Sequence, residues 1–178
     1  MTMIRWIILI ICLAGLCILV GCGWIIWQQT QRKAELTQIS NLLGNSPANQ
    51  LGQNTRCWDI FTHCGYYIYF LTPLSQSQVA TTIGEIGYVI RWEDQIDGYT
   101  AYSTINLWTS HRLTANGEDG TIREDPTLTP KAYLWRLTGV QGQEWGVSFY
   151  AIGDPSIPYL LDGQSVNQNL IVLMTQIR

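Results

Sequence analysis

The sequence predicts an α+β protein: an N-terminal transmembrane helix followed by a small antiparallel-sheet domain with at least one packed helix. Three observations carry that prediction. Trp6 to Trp27 is an apolar run of 22 residues with no charged side chain, Tyr66 to Ile86 reads as a strand followed by a helix, and the second half breaks into short segments rich in β-branched and aromatic residues. With 178 residues, 47% hydrophobic, 13% charged and mean hydropathy +0.06, the composition excludes both a polytopic membrane protein and a disordered chain. A net charge of -3 and a pI near 5.2 provide no basic stripe, so no nucleic-acid partner is expected.

Residues 1–27 form the membrane segment. At about 1.5 Å per residue the apolar run spans roughly 30 Å of hydrocarbon. Trp6 at one end and Trp24 and Trp27 at the other stand where indoles prefer the headgroup boundary, with Arg5 and the Arg32-Lys33 pair just outside. Leu19-Val20-Gly21-Cys22 resembles a bacterial lipobox, the tetrapeptide cut before a cysteine that then receives diacylglycerol. That resemblance implies lipidation at Cys22, with Met1–Arg5 as a charged n-region and Trp6–Ile18 as the apolar h-region. Gly23-Trp24-Ile25-Ile26-Trp27 departs from it, because the apolar run continues where a lipoprotein tether is polar. An uncleaved signal anchor is therefore the first reading and a lipoprotein the second. Arg5 and the Arg32-Lys33 pair balance across the span. The orientation rests instead on the single arginine before an N-terminal apolar run and on a downstream region rich in Thr, Gln, Ser, Tyr and Trp. Both place residues 28–178 outside the cytoplasmic membrane.

Residues 28–56 read as a helical stalk and polar linker. Leu36, Ile39 and Leu43 share one helical face, Gly44 fits a C-cap and Pro47 a stop. The stalk is expected to be a solvated spacer, with a partner helix as the other option. Asn45–Arg56 is polar and is expected to be a linker that packs no core.

Residues 57–178 form the extracytoplasmic α+β domain. Tyr66–Leu71 reads as a buried strand. Ser75 is placed to cap a helix over Gln76–Ile86, whose Val79, Ile83 and Ile86 are helically spaced and which Gly87 would end. Strands are expected at Tyr88–Trp92, Tyr99–Trp108, Ala132–Leu137 and Glu144–Tyr150, the last two joined as a hairpin through Gln141-Gly142-Gln143. Leu170–Ile177 fits either a strand or a helix, and its β-branched residues favour the strand. The sum is one antiparallel sheet of five or six strands with a helix on one face.

Candidate chemistry is sparse. Cys57 and Cys64 fit a disulfide closing a small loop in an oxidising compartment. A metal site built from Cys57, His63, Cys64 and His111 is the alternative, although the spacing matches no zinc pattern. Acidic residues group at Glu93-Asp94 with Asp97 and at Glu118-Asp119 with Glu124-Asp125, and solvated turns explain them better than a calcium loop. Trp92, Tyr99, Tyr102, Trp108, Trp135 and Trp145 could line a binding face, with Trp92, Tyr102, Trp108 and Trp135 the primary candidates, although core packing uses the same residue types. No nucleophile elbow, zincin pair or phosphate loop is present, so neither a catalytic residue nor a cofactor is expected. The expected function is non-enzymatic: an envelope protein whose outer domain binds a protein partner in a membrane complex. The alternatives are a lipoprotein binding a ligand or cell-wall glycan through sheet aromatics, and a hydrolase using the acidic loops.

Overall fold

An apolar run to Trp27 passes without a proline into a polar stretch of helix formers with a Leu36–Ile39 stripe, and in the computed structural model the two form one helix, α1 (Thr2–Leu42). The structure describes residues 2–57, 64–97, 105–106, 109–115, 129–139, 144–153 and 159–177. Measured at 1.5 Å per residue, α1 is roughly 60 Å long. Its two halves have opposite surroundings. Ile11, Leu16, Leu19, Val20, Trp24 and Ile26 are exposed, Leu19 at 73%. By length and composition this half is long and apolar enough to cross a membrane. Leu36, Ile39 and Leu43, by contrast, are buried in the domain's core.

This corrects the solvated spacer expected over residues 28–43: the apolar face of the stalk packs on its own domain, against β2 (Cys64–Thr72) and β9 (Asn169–Ile177). Fully burying each of the three side chains is worth about 1.5 to 3 kcal/mol. Polar contacts fix the same face. Arg32 Nη1 donates to the Gln176 carbonyl at 2.5 Å, and Lys33 Nζ lies 5.2 Å from the centroid of the Tyr66 ring. Gly44 ends the helix at φ +94, with Asn45 N–H donating to Ser40 O and Gly44 N–H to Asn41 O. That bond pair is a Schellman motif and needs the left-handed conformation glycine adopts freely.

The polar stretch after it is not a free linker. Residues 50–56, expected to pack nothing, form with Cys57 the strand β1 (Gln50–Cys57), paired antiparallel with β2 from Gln50↔Phe70 to Cys57↔Cys64. The reason is positional: β1 is an edge strand held by backbone bonds, and Leu51 is its one buried side chain.

The main sheet has six strands in the order β1-β2-β9-β6-β5-β3, all neighbours antiparallel, with β3 at Val89–Asp97, β5 at Lys131–Thr138 and β6 at Glu144–Ala151. β2 and β3 therefore run in the same direction, joined by α2 (Gln76–Glu85), with three strands inserted between them. α2 begins as its sequence predicts. Gln78 N–H donates to Ser75 Oγ, and Gln78 Oε1 accepts from Ser75 N–H, closing a capping box. It ends at Gly87, φ +87, in a second Schellman motif from Tyr88 N–H to Ile83 O and Gly87 N–H to Gly84 O.

Alternation along the strands sorts two cores onto the two faces. Tyr66, Ile68, Phe70, Trp135, Val147, Phe149, Ile171 and Leu173 face α1 and α2. Tyr69, Tyr150, Leu170 and Val172 face Leu113, Ala115 and Tyr159, which come from a second sheet of β4 (Leu113–Ala115), β7 (Tyr159–Leu161) and β8 (Gln164–Ser165). This sheet was not expected from the sequence. The ambiguous C-terminal segment is a strand, β9, buried on both faces between β2 and β6. Of the strand expected over Tyr99–Trp108, only Ile105 and Asn106 are described, and they belong to a helical turn, with Thr109 N–H donating to Ile105 O. The hairpin connection 141–143 lies outside the described residues.

Candidate functional site

Where α1 leaves the sheet, its exposed and buried halves meet at a groove of about 840 Å³. One wall is α1, from Trp27 through Arg32 and Glu35 to Leu42, and the other is Ile86 and Tyr88 at the turn from α2 into β3. Helical geometry sets the α1 wall: Gln28, Gln31, Glu35, Gln38 and Leu42 recur at alternating steps of three and four, so they line one side of the helix. The opposite wall is set by the Gly87 turn, which brings Tyr88 across to α1. The Tyr88 hydroxyl donates to Glu35 Oε1 and bridges the groove. Burial, and the Glu35 carboxylate beside it, push the Tyr88 hydroxyl pKa well above the usual tyrosine value, so it stays a neutral donor. Behind it the Tyr88 ring meets Trp145 edge-on, centroids 6.4 Å apart.

Lining side chains combine Gln28, Gln31 and Gln38 with one cation, Arg32, and one anion, Glu35. Although these two charges are neighbours on the helix, each engages another partner: Arg32 donates to the Gln176 carbonyl and Glu35 accepts a hydrogen bond from the Tyr88 hydroxyl. Such a set can bind a polar, zwitterionic group by hydrogen bonds and paired charges. It contains no nucleophile with an adjacent base. The sequence carried one signal for this place: Glu35 is the single acid before residue 59, isolated in an otherwise neutral or basic helix.

The residues singled out from the sequence fall elsewhere. Cys22 is exposed in the apolar half of α1. Cys57 and Cys64 form a disulfide between paired positions of β1 and β2, which excludes them as thiolate metal ligands. His111 sits beside the second sheet, hydrogen-bonded to Asp162 of the turn between β7 and β8. Its Nδ1 is 2.7 Å from Asp162 Oδ2, and His63 lies outside the described residues. The four-residue metal alternative is thereby overturned, and no group of three or more candidate ligands occurs among the described residues.

Trp135 is 2% exposed, its ring 6.2 Å from Phe149, and Trp145 is equally buried. Neither belongs to an exposed aromatic surface, because odd-numbered positions of β5 and β6 face the helices. Trp92 pairs through its backbone with Arg136, while its side chain, and all of Tyr99, Tyr102 and Trp108, lie outside the described set. Glu93 is exposed and accepts from Gln76 Nε2 at 3.1 Å. The Asp94 and Asp97 side chains and Glu118, Asp119, Glu124 and Asp125 are likewise outside it. On the far face, a depression of about 390 Å³ lies over the end of the sheet left open by the second sheet, edged by Tyr67, Arg136, Ser148 and Met174.

The His111–Asp162 pair has a pH consequence. Arg112 N–H donates to Asp162 Oδ1 at 2.8 Å, and this bond first, then His111, holds the Asp162 carboxyl below its usual 3.8. A depressed carboxyl contributes stability above its unfolded value and loses it as pH falls through the folded one. The link between residues 111–112 and the β7–β8 hairpin is therefore expected to be complete above about pH 4 and to release only in stronger acid. Following the Arg112 amide shift in an acid titration checks this, and an unchanged transition in Asp162→Asn would contradict it.

No protein-family model, curated protein or solved structure matches this chain.

Proposed function

We propose that this is a membrane-anchored, non-enzymatic envelope protein whose domain, held outside the cytoplasm, binds a protein partner as an accessory or small subunit of a membrane complex. One observation carries the reading: α1 is unbroken from Thr2 to Leu42, with an exposed apolar half and distal turns sealed into the core. An exposed apolar surface of this size is stable only in lipid or against protein. Because the same helix continues into the fold, the domain stands at a fixed height on the membrane rather than on a loose tether. Support for the outer compartment comes from the Cys57–Cys64 bridge, since disulfides persist where the milieu is oxidising. The groove and the open sheet end supply polar and mixed surface for a partner.

The lipoprotein alternative keeps the domain and changes the anchor, with cleavage before Cys22 leaving Gly23–Leu42 as the connecting helix. Its glycan-binding half loses Trp135, and of the acidic residues named for the hydrolase alternative only the Glu93 side chain lies among the described ones. Intact mass of the protein purified from membranes decides between the anchors. The uncleaved chain with the bridge formed is expected, lighter by the two hydrogens that the disulfide removes. Loss of residues 1–21 with added acyl mass establishes the lipoprotein instead. Detergent extraction followed by size analysis tests the partner: a stoichiometric co-purifying protein is expected, and a lone monomer counts against it.

A further inference from the structure

We propose that the groove between α1 and Tyr88 binds the headgroup of a zwitterionic phospholipid carrying a primary ammonium, of the phosphatidylethanolamine class. The proposal rests on the membrane-anchored reading and specifies what the groove holds.

Depth comes first. Trp27 closes the apolar run and opens the groove, so the groove begins where an indole marks the hydrocarbon boundary. At 1.5 Å per residue, Arg32 lies about 7.5 Å beyond Trp27 along the helix, and Glu35 about 4.5 Å further. A phospholipid presents its groups in that order: acyl esters at the boundary, then the phosphate, then the ammonium joined to the phosphate by a two-carbon link. Gln28 stands at the ester level with an amide donor, Gln31 and Arg32 at the phosphate and Glu35 at the ammonium. The order of charges along the wall is thus complementary to that of the headgroup.

Hydrogen-bond capacity agrees. One Arg32 nitrogen is committed to Gln176 O, and the guanidinium has further N–H donors for phosphate oxygens. Glu35 Oε1 accepts from Tyr88, and a carboxylate retains its second oxygen for an ammonium N–H. A quaternary ammonium has no N–H to donate, and a glycerol headgroup has no positive charge. Both should therefore bind more weakly than ethanolamine. At about 840 Å³ the groove has room for a headgroup and its glycerol backbone.

The test uses the full chain reconstituted in vesicles, then transferred to mild detergent for native mass spectrometry with phosphatidylethanolamine, phosphatidylcholine or phosphatidylglycerol of matched chains. One phosphatidylethanolamine is expected to be retained with roughly tenfold preference over the other two, equivalent to about 1.4 kcal/mol. Glu35→Gln should abolish the preference over phosphatidylglycerol while keeping the melting temperature and the disulfide mass. Equal retention of all three lipids by the wild-type chain, or an unchanged preference in a folded Glu35→Gln variant, overturns the site. If that variant does not fold, the wild-type comparison of ethanolamine with choline decides alone. Failure of the wild-type chain to float with vesicles overturns the anchor reading itself, whereas flotation without lipid preference overturns only the site.

Discussion

A chain beginning at Gln28 is expected to fold and remain in solution, and a chain beginning at Asn45 is expected to lose its cooperative thermal transition. The two differ by the distal turns of α1. Removing Met1–Trp27 takes away exposed apolar surface and leaves the contacts of Leu36, Ile39, Leu43, Arg32 and Lys33 intact. Removing residues 28–44 as well uncovers the β2–β9 face. The three apolar side chains alone are worth roughly 5 to 9 kcal/mol by area bookkeeping, comparable with the whole stability of a typical domain, about 5 to 15 kcal/mol. Thermal melts followed by near-ultraviolet circular dichroism, with size exclusion, compare the two chains. Equal transitions in both would show that α1 is not part of the core.

Thr72→Val is expected to lower the melting temperature by roughly 5 to 10 °C, the effect of orphaning two backbone groups at about 1 to 3 kcal/mol each. Thr72 is fully buried. Its hydroxyl donates to the Leu43 carbonyl at 2.7 Å and accepts from Leu74 N–H at 3.2 Å. The single side chain thus ties the end of α1 to the exit of β2. Valine keeps the shape and removes both bonds. Thr72→Ser keeps the hydroxyl and loses a methyl, so it should melt closer to the parent, and a serine variant as unstable as the valine one would assign the effect to packing. The neighbouring Gly44 has no room to compensate, since a Cβ there would stand 3.0 Å from Thr72 Oγ1.

Legibility from the sequence followed how much of an element's identity its own side chains express. α2 was readable end to end because Ser75, the Val79–Ile83 face and Gly87 each act within a few residues. β2, β5 and β6 were readable because buried strands must be apolar and β-branched, whereas the β9 segment fitted a helix as well and only its β-branched residues tipped it to strand. β1 was not, because an edge strand needs backbone partners more than apolar side chains, and Gln53, Thr55 and Arg56 are exposed. Its polarity read as linker. The stalk's Leu36–Ile39–Leu43 face was visible, but a stripe states that something is covered, not what covers it. The candidate site was least legible. Glu35 and Tyr88 are 53 residues apart in sequence, and only the Gly87 turn brings them together.

Among the described residues β9 is the last strand in chain order, yet it occupies an inner position and alone hydrogen-bonds the β1-β2 pair to the β6-β5-β3 group. Until Asn169–Ile177 have been synthesised, those two halves have no shared backbone ladder. Folding of the sheet therefore waits on the strand that comes last in sequence order, and the two groups of strands stay unjoined until it is present. A premature stop before Asn169 leaves two unjoined pieces, a product for proteolysis rather than a slightly shortened domain.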